Sequence, residues 1–167
     1  MSKVPKRQDA VKLPRGEEHL SRAGDLLTSL IVPVIRLEAH FSRAGERIAA
    51  AGGQTMARWL VLETVAGEPA TVAQIARGLG YTRQSVQRVA DLLAREGLTQ
   101  YATNPAHQRS QLVRITPPGL KTLATIQRAQ RAWADRVGRQ IGEAELRQAG
   151  SVVDNLTRIL KAQRDRR

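Results

Sequence analysis

Hydrophobic residues in the first third of the chain recur at alternating steps of three and four residues. The pattern runs from Leu20 to Ile48, about four heptads, and predicts a long helix with one narrow apolar seam. Pro33 lies within it and predicts a kink rather than a break, because the seam continues on both sides. The same spacing from Leu146 to Gln163 predicts a second long helix near the other end of the chain.

The central part of the chain carries a series of helix-capping signals. Thr55 predicts the start of one helix, which a Gly-Glu-Pro-Ala segment ends. Thr71 and Gln74 have the spacing of a capping box, in which each side chain accepts an amide hydrogen bond from the other residue, and they predict a short second helix. Thr82 predicts the start of a third helix and Gly97 its end. The last two helices are joined by a tight turn.

After the third of these helices the hydrophobic period shortens to about two, which favours strands at 98–103 and 111–116. The segment 104–110 between them is rich in turn-forming residues and predicts a hairpin with a basic tip. Thr116, followed by two prolines, predicts a final helix to about residue 140. Three helices and a hairpin describe a winged helix-turn-helix, so the predicted fold is mainly α with a small β-hairpin wing.

These elements divide the chain into regions of different character. Residues 1–17 are basic and polar and are predicted to form a flexible N-terminus. Residues 54–116 are predicted to form the DNA-binding region, flanked by a helical dimerisation region at 18–50 and 117–165. The alternative is that the terminal helices pack on each other within one monomer, which is the commoner outcome for a single amphipathic helix. Their position on both sides of a basic module favours dimerisation.

The charge of the chain indicates a polyanionic partner. Lys and Arg number 27 against 15 Asp and Glu, a formal net charge of +12, so nucleic acid is favoured over an anionic membrane. No stretch approaches the roughly 18 apolar residues of a membrane span, and the start of the chain lacks a signal-like apolar segment. We therefore expect a soluble protein of the bacterial cytoplasm, associated with the nucleoid.

Catalytic chemistry is poorly supplied in this sequence. There are no cysteines, and the three histidines are far apart, so neither a metal site nor a cofactor is expected. The isolated pairs Glu17/His19 and Glu38/His40 are too sparse for a site of three ligands. The protein is predicted not to be an enzyme.

The helix after Thr82 carries side chains of the types that read base edges. Its apolar residues take one side and leave polar residues, including Asp91, on the other. Gln can bridge adenine and Arg can bridge guanine through paired hydrogen bonds. The residues predicted to contact the major groove are Arg83, Gln84, Gln87 and Arg88. The alternative is an ordinary solvated polar face.

Other residues around this helix are predicted to contact the DNA backbone and the minor groove. Thr71, Thr82 and Ser85 lie near helix N-termini, where free amides and the helix dipole favour phosphate. His107 and Arg109 lie at the hairpin tip, where an arginine can enter a narrow minor groove. A surface arginine in a loop is usually inert, which is the alternative for Arg109.

The order of these signals from Thr55 to Gly119 resembles the MarR family of bacterial transcription regulators. The strings that carry the resemblance are Thr71-x-x-Gln74-Ile75-Ala76-x-x-Leu79, Thr82-x-x-Ser85-Val86, Glu96-Gly97-Leu98 and, most specific, Asn104-Pro105-x-His107-x-Arg109-Ser110-x-Leu112-Val113-x-Ile115-Thr116-x-x-Gly119. Two positions depart from the pattern. His107 stands where many members have an Asp that pairs with the wing Arg, and Arg58 stands where Gln is frequent.

The resemblance implies a homodimer on a near-palindromic operator, usually a repressor. Members are often released by a small aromatic or anionic ligand in a cleft between the dimer arms and the reading module. The residues of this chain that are candidates to line the cleft are Arg36, His40, Phe41, Trp59 and Trp133. Aromatic residues at helical spacing are core residues more often than ligand contacts, so that alternative stays open. A winged helix that binds proteins, or a structural dimer, is the alternative function.

Overall fold

The computed structural model describes residues 20–164 apart from residues 106 and 108. Within these residues the chain forms six helices and three short strands. In chain order they are α1 Arg22–Ala50, α2 Met56–Gly67, β1 Ala70–Thr71, α3 Val72–Leu79, α4 Arg83–Arg95, β2 Thr99–Ala102, β3 Leu112–Ile115, α5 Pro117–Ile141 and α6 Glu143–Arg164. The mainly α class with a small β wing is confirmed. The predicted flexible segment 1–17 lies outside the described residues.

The chain separates into two compact units, residues 1–39 and residues 40–167. The described part of the first unit is the N-terminal part of α1, which continues past Pro33 as predicted. Its large apolar side chains are exposed, at 43% to 63% of their surface. These residues are Leu26, Leu27, Leu30, Ile31, Val32, Val34, Ile35 and Leu37.

In the second unit, four helices begin at the threonines that the sequence indicated. The Oγ1 atoms of Thr71, Thr82 and Thr116 each accept the amide of the third following residue at 3.2 Å. Thr55 caps α2 in the same way at 3.4 Å. The capping box of Thr71 is complete, because its own amide donates to Gln74 Oε1 at 2.8 Å. Capping hydrogen bonds of this kind satisfy amides that have no partner within the helix.

The predicted hairpin is present as β2 and β3, and β1 adds a third strand that the sequence did not predict, so the wing is an antiparallel sheet in the order β1-β3-β2. Val113 in β3 lies opposite Ala70 on one side and Tyr101 on the other. Ala70 was assigned to the break between helices, so this part of the prediction is wrong. Two residues are too few to show a strand period, and β1 is defined by pairing with a distant segment.

The core of the second unit lies between α2, α3, α4 and the sheet, and the C-terminal part of α1 and the start of α5 pack on it. Its largest fully buried side chains are Leu62, Ile75, Leu93, Ile126, Val61, Val65, Val86 and Val113. Gly119 lets α5 approach the sheet closely, because a Cβ there would lie 2.0 Å from the carbonyl oxygen of Leu98. Arg58 in α2 forms an ion pair with Glu96 at the end of α4.

Helix α6 leaves much of its apolar surface uncovered. Its exposed large apolar residues are Leu146, Val152, Val153, Ile159 and Leu160. Exposed apolar surface on this scale is uncommon for a helix that has no partner.

Candidate nucleic-acid interface

The outward face of α4 is set by the burial of its inward face. Val86, Ala90 and Leu93 are at most 1% exposed. Because successive residues of a helix are separated by about 100°, these positions turn the intervening polar residues toward solvent. All four predicted major-groove residues are exposed: Arg83, Gln84, Gln87 and Arg88.

Helix α4 and the wing form a concave surface, and the cleft that it bounds has a volume of about 690 Å³. Its walls come from the start of α3, from α4 and from the wing. The lining residues are Thr71, Val72, Ala73, Arg83, Gln84, Gln87, Tyr101, Arg109, Ser110 and Gln111. The fold thus brings together five predicted site residues from three segments: Thr71, Arg83, Gln84, Gln87 and Arg109. The other predicted DNA contacts, Thr82, Ser85, Arg88 and His107, lie outside this lining.

The three residues that are predicted to bind phosphate differ in whether the hydroxyl hydrogen already has an acceptor within the protein. The Thr71 hydroxyl donates to Gln74 Oε1 at 2.9 Å, and the Ser85 hydroxyl donates to the Thr82 carbonyl at 2.9 Å. The Thr82 hydroxyl accepts the Ser85 amide, and within the described residues its own hydrogen has no acceptor. Thr82 is therefore the hydroxyl that can donate to a phosphate without losing a bond inside the protein.

The described part of the wing tip is a compact turn. The His107 amide donates to the Asn104 carbonyl at 3.3 Å, and the Ser110 amide donates to the His107 carbonyl at 3.0 Å. Asn104, which is buried, donates through its amide to Ser110 Oγ at 3.2 Å. Arg109 is exposed, and its side chain forms no ion pair with any described residue. The turn therefore presents an arginine that has no acidic partner among the described residues.

A hydrogen-bonded triangle connects α4 to the wing, and the sequence did not predict it. The Tyr101 hydroxyl donates to Asp91 Oδ1 at 2.6 Å, and Gln87 Nε2 donates to both groups at 2.8 Å. Strand alternation is the signal that could have found Tyr101, because Gln100 is exposed while Thr99 and Tyr101 face inward. Asp91 thus faces the wing.

The triangle changes the acidity of both ionisable groups. Burial raises the pKa of Tyr101 to about 12, and the hydrogen bond to Asp91 and the charge of that carboxylate act in the same direction. The hydrogen bond from Tyr101, followed by the one from Gln87, lowers the pKa of Asp91. At neutral pH the pair is therefore a phenol that donates to a carboxylate.

A second cleft, of about 410 Å³, lies between the C-terminal part of α1 and α5. It is lined by Ala44, Arg47, Ile48, Ala129, Trp133 and Arg136. Phe41 packs edge-on against Trp133, with ring centroids 6.0 Å apart, so two predicted cleft residues meet here. The sequence missed Arg47 and Arg136, although helical spacing places them near Ala44 and Trp133.

The remaining predicted cleft residues lie elsewhere. His40 is exposed, and its Nδ1 lies 3.2 Å from Nη2 of Arg43. Trp59 is in the core and donates its indole N–H to Glu63 Oε2 at 3.1 Å. Arg36 belongs to the first unit, residues 1–39. Their assignment to an effector cleft stays a prediction.

Three helices, a three-stranded wing and an exposed Arg- and Gln-bearing helix face define a winged helix-turn-helix DNA-binding protein. The model of the MarR family matches residues 53–110. The crystal structure of the MarR family transcription regulator SP03579 is similar to this chain, with a TM-score of 0.73 and 26% identity over 83% of this chain and 93% of that chain. The chain belongs to the MarR family of transcription regulators, a class of DNA-binding rather than catalytic proteins.

Other known proteins are similar to this chain in sequence or in fold. The chain is 36% identical over 140 residues to the uncharacterized protein Rv2011c of Mycobacterium tuberculosis, covering 84% of this chain and 98% of the relative. A mutant of Escherichia coli MarR, crystallised with operator DNA, has the same fold, with a TM-score of 0.70 and 15% identity over 81% and 99% of the two chains. Staphylococcus aureus MarR, in complex with salicylate and kanamycin, has a TM-score of 0.73 and 15% identity over 84% and 96%.

None of the helices within residues 20–164 is long and apolar enough to cross a membrane. No group of three or more His, Asp and Glu side chains in the described part of the chain is placed to hold a metal ion.

The acidity of Tyr101 gives a direct test of the triangle. In a Tyr81→Phe variant Tyr101 is the single tyrosine, so tyrosinate absorbance during a pH titration reports it alone. We expect a midpoint near 12 in the folded protein, against an ordinary pKa of 10.0. Asp91→Asn removes the carboxylate charge and lowers that midpoint. A midpoint of 10.0 in folded protein, with no response to Asp91→Asn, would contradict the hydrogen bond.

The raised pKa of Tyr101 determines whether this residue contributes more or less to stability as the pH rises. Because folding raises the pKa, the contribution of Tyr101 to the free energy of unfolding is fully present below pH 10.0 and is lost as the pH rises through about 12. Chemical unfolding across this pH range measures the decrease in the free energy of unfolding. The decrease should be smaller in Tyr101→Phe, which lacks the ionisable hydroxyl.

Proposed function

We propose that this protein is a sequence-specific repressor that binds a near-palindromic operator as a homodimer and is released by a small anionic aromatic effector. The observation that carries the proposal is the concave surface between α4 and the wing, where exposed Arg83, Gln84 and Gln87 of α4 line the same surface as Arg109 of the wing tip. In the bacterial cytoplasm, at the nucleoid, binding would block access to a promoter.

In the proposed complex this surface contacts one half-site of duplex DNA. Helix α4 is 13 residues long and enters the major groove with its polar face toward the bases, while Arg109 reaches the flanking minor groove. Arg88 pairs with the O6 and N7 atoms of a guanine. The Thr82 hydroxyl donates to a phosphate and sets the register. A second copy places its own α4 about 34 Å away, one helical turn along the duplex.

Uncovered apolar surface supports the homodimer. The exposed leucines, isoleucines and valines of α1, together with those of α6, are covered by a second copy of the chain. Covering them removes apolar surface from water, which stabilises the dimer by about 25 cal/mol for each Å² of apolar surface that is buried.

The composition of the second cleft supports an anionic aromatic effector. Its volume of about 410 Å³ suits a small ligand, and its walls combine the Trp133 indole with the guanidinium groups of Arg47 and Arg136. An arginine pairs with a carboxylate and an aromatic ring stacks on the indole, so a benzoate-like molecule satisfies both. The salicylate complex of Staphylococcus aureus MarR is consistent with this ligand class.

Removal of Arg88 tests base reading. Selection from random DNA first provides the operator, and fluorescence anisotropy then measures affinities. We expect Arg88→Ala to weaken operator binding by about 1–3 kcal/mol and to relax the preference at one base pair, because a paired contact to guanine is lost. Arg109→Ala instead weakens binding to operator and scrambled DNA alike. It also reduces the slope of log affinity against log salt concentration by about 1.

The matched control is Arg139→Ala, which removes an equal charge from α5, outside the proposed DNA interface. It should leave base preference unchanged. If Arg88→Ala binds operator and scrambled duplex as the wild type does, α4 does not read bases. Wild-type protein that does not distinguish the two duplexes would favour a winged helix that binds other proteins.

Charged substitutions test the dimer. Leu30→Asp in α1 and Val153→Asp in α6 each place a carboxylate where an apolar contact is proposed, and burying that charge is costly. We expect monomers in analytical ultracentrifugation and loss of operator binding. Thr64→Asp, on the exposed side of α2, is the control and should remain dimeric. Unchanged sedimentation of both variants would refute the assigned surface, and a monomeric wild type would refute the dimer.

Calorimetry with salicylate tests the effector cleft. We expect binding to the wild-type protein, release of operator DNA, and roughly tenfold weaker binding by Arg47→Gln or Arg136→Gln, because each loses one charge-assisted hydrogen bond. Arg43→Gln, which lies outside the cleft on α1, is the control. Binding that is equally strong in both cleft variants would place the ligand elsewhere.

A further inference from the structure

The two glutamines on the outward face of α4 are held in different ways. Gln87 Nε2 donates to Asp91 Oδ1 and to the Tyr101 hydroxyl, both at 2.8 Å. Gln84 is exposed and forms no hydrogen bond with any described residue. Gln87 is therefore tied to the wing, while Gln84 is free to rotate.

The chemistry of the triangle fixes which end of the Gln87 amide faces it. A carboxylate has no hydrogen to donate, and the Tyr101 hydroxyl gives its hydrogen to Asp91 at 2.6 Å. Both partners therefore offer lone pairs to Gln87, and only the amide nitrogen satisfies them. A flipped amide would place Oε1 against a carboxylate oxygen, where the two would repel. The Gln87 oxygen is left turned away, with no partner among the described residues.

Tyr101 is the member that makes this arrangement rigid. A Gln–Asp hydrogen bond between residues four apart on an exposed helix is weak by itself. The Tyr101 ring is half-buried in the sheet, where β2 pairs it with the buried Val113. Its hydroxyl holds Asp91 in place and gives the Gln87 nitrogen a second acceptor. The orientation of a base-reading side chain on α4 thus depends on a residue of the wing.

We propose that Tyr101 is a specificity-determining positioning residue: with Asp91 it holds the Gln87 amide so that its oxygen selects a base that presents an amino group in the major groove. Adenine and cytosine present such a donor, whereas guanine and thymine present an oxygen that repels it. A freely rotating glutamine can turn either end toward the base. This inference rests on the proposed function, in which α4 reads operator DNA.

The test compares base preference at one position of the operator. Gln87→Ala first identifies the base pair that Gln87 reads, as the position whose preference is lost. Four duplexes that differ only at that base pair then give dissociation constants by anisotropy for the full-length protein. The wild type should prefer adenine or cytosine over guanine and thymine by about tenfold. Tyr101→Phe and Asp91→Ala, each of which removes one partner of the Gln87 nitrogen, should both reduce this preference to about twofold or less, with the preferences at other positions unchanged.

Controls separate positioning from a role in folding. Tyr81→Phe removes a hydroxyl that bonds no described residue, and it should leave every preference intact. Thermal unfolding checks that Tyr101→Phe, which keeps the ring, is folded. If it is not, Asp91→Ala, which removes the carboxylate acceptor on the polar face of α4, provides the same comparison. An equal loss of affinity on all four duplexes, with the preference retained, overturns the inference, as does retention of wild-type affinities. A wild type that shows no sequence preference at any position instead refutes the proposed function.

Discussion

Burial of one side of α4 is the constraint on which the proposed DNA-reading surface depends. Val86, Ala90 and Leu93 are almost completely removed from water against α2 and α3. Rotation of the helix by one residue, about 100°, would expose these side chains and bury polar ones, which is costly without new hydrogen bonds. Because the core fixes this rotation, apolar packing determines that Gln87 and Arg88 lie on the outward side of α4. The hydrogen bonds to Asp91 and Tyr101 then set the orientation of the Gln87 amide on that side.

The sequence predicts those parts of the fold that depend on local interactions. A threonine caps the amide three residues ahead, so the starts of α2, α3, α4 and α5 are visible in a few letters of sequence. The shift to a period of two likewise indicates β2 and β3. Strand β1 is not predicted, because Ala70 and Thr71 form a strand only through pairing with β3, about forty residues away.

The same distinction applies to the site. Helical period predicts which residues α4 exposes, but it does not show what they contact. Asp91 sits on the polar face in sequence, yet its carboxylate bonds Tyr101 across the junction with the wing. Arg47 and Arg136 share a cleft although they lie on helices far apart in the chain. Contacts between elements are set by tertiary packing, which periodicity within one element does not encode.

The placement of Asp91 also has an electrostatic consequence for the reading surface. It is the acidic residue of α4, on a face that also carries Arg83 and Arg88. A carboxylate pointing at DNA would repel phosphates and reduce the steering that the net charge of +12 provides. The hydrogen bonds from Tyr101 and Gln87 hold this charge against the wing and lower its pKa, with a further contribution from the charge of Arg95. In the proposed complex, the same bonds that hold the Gln87 amide therefore leave positive side chains to face the duplex.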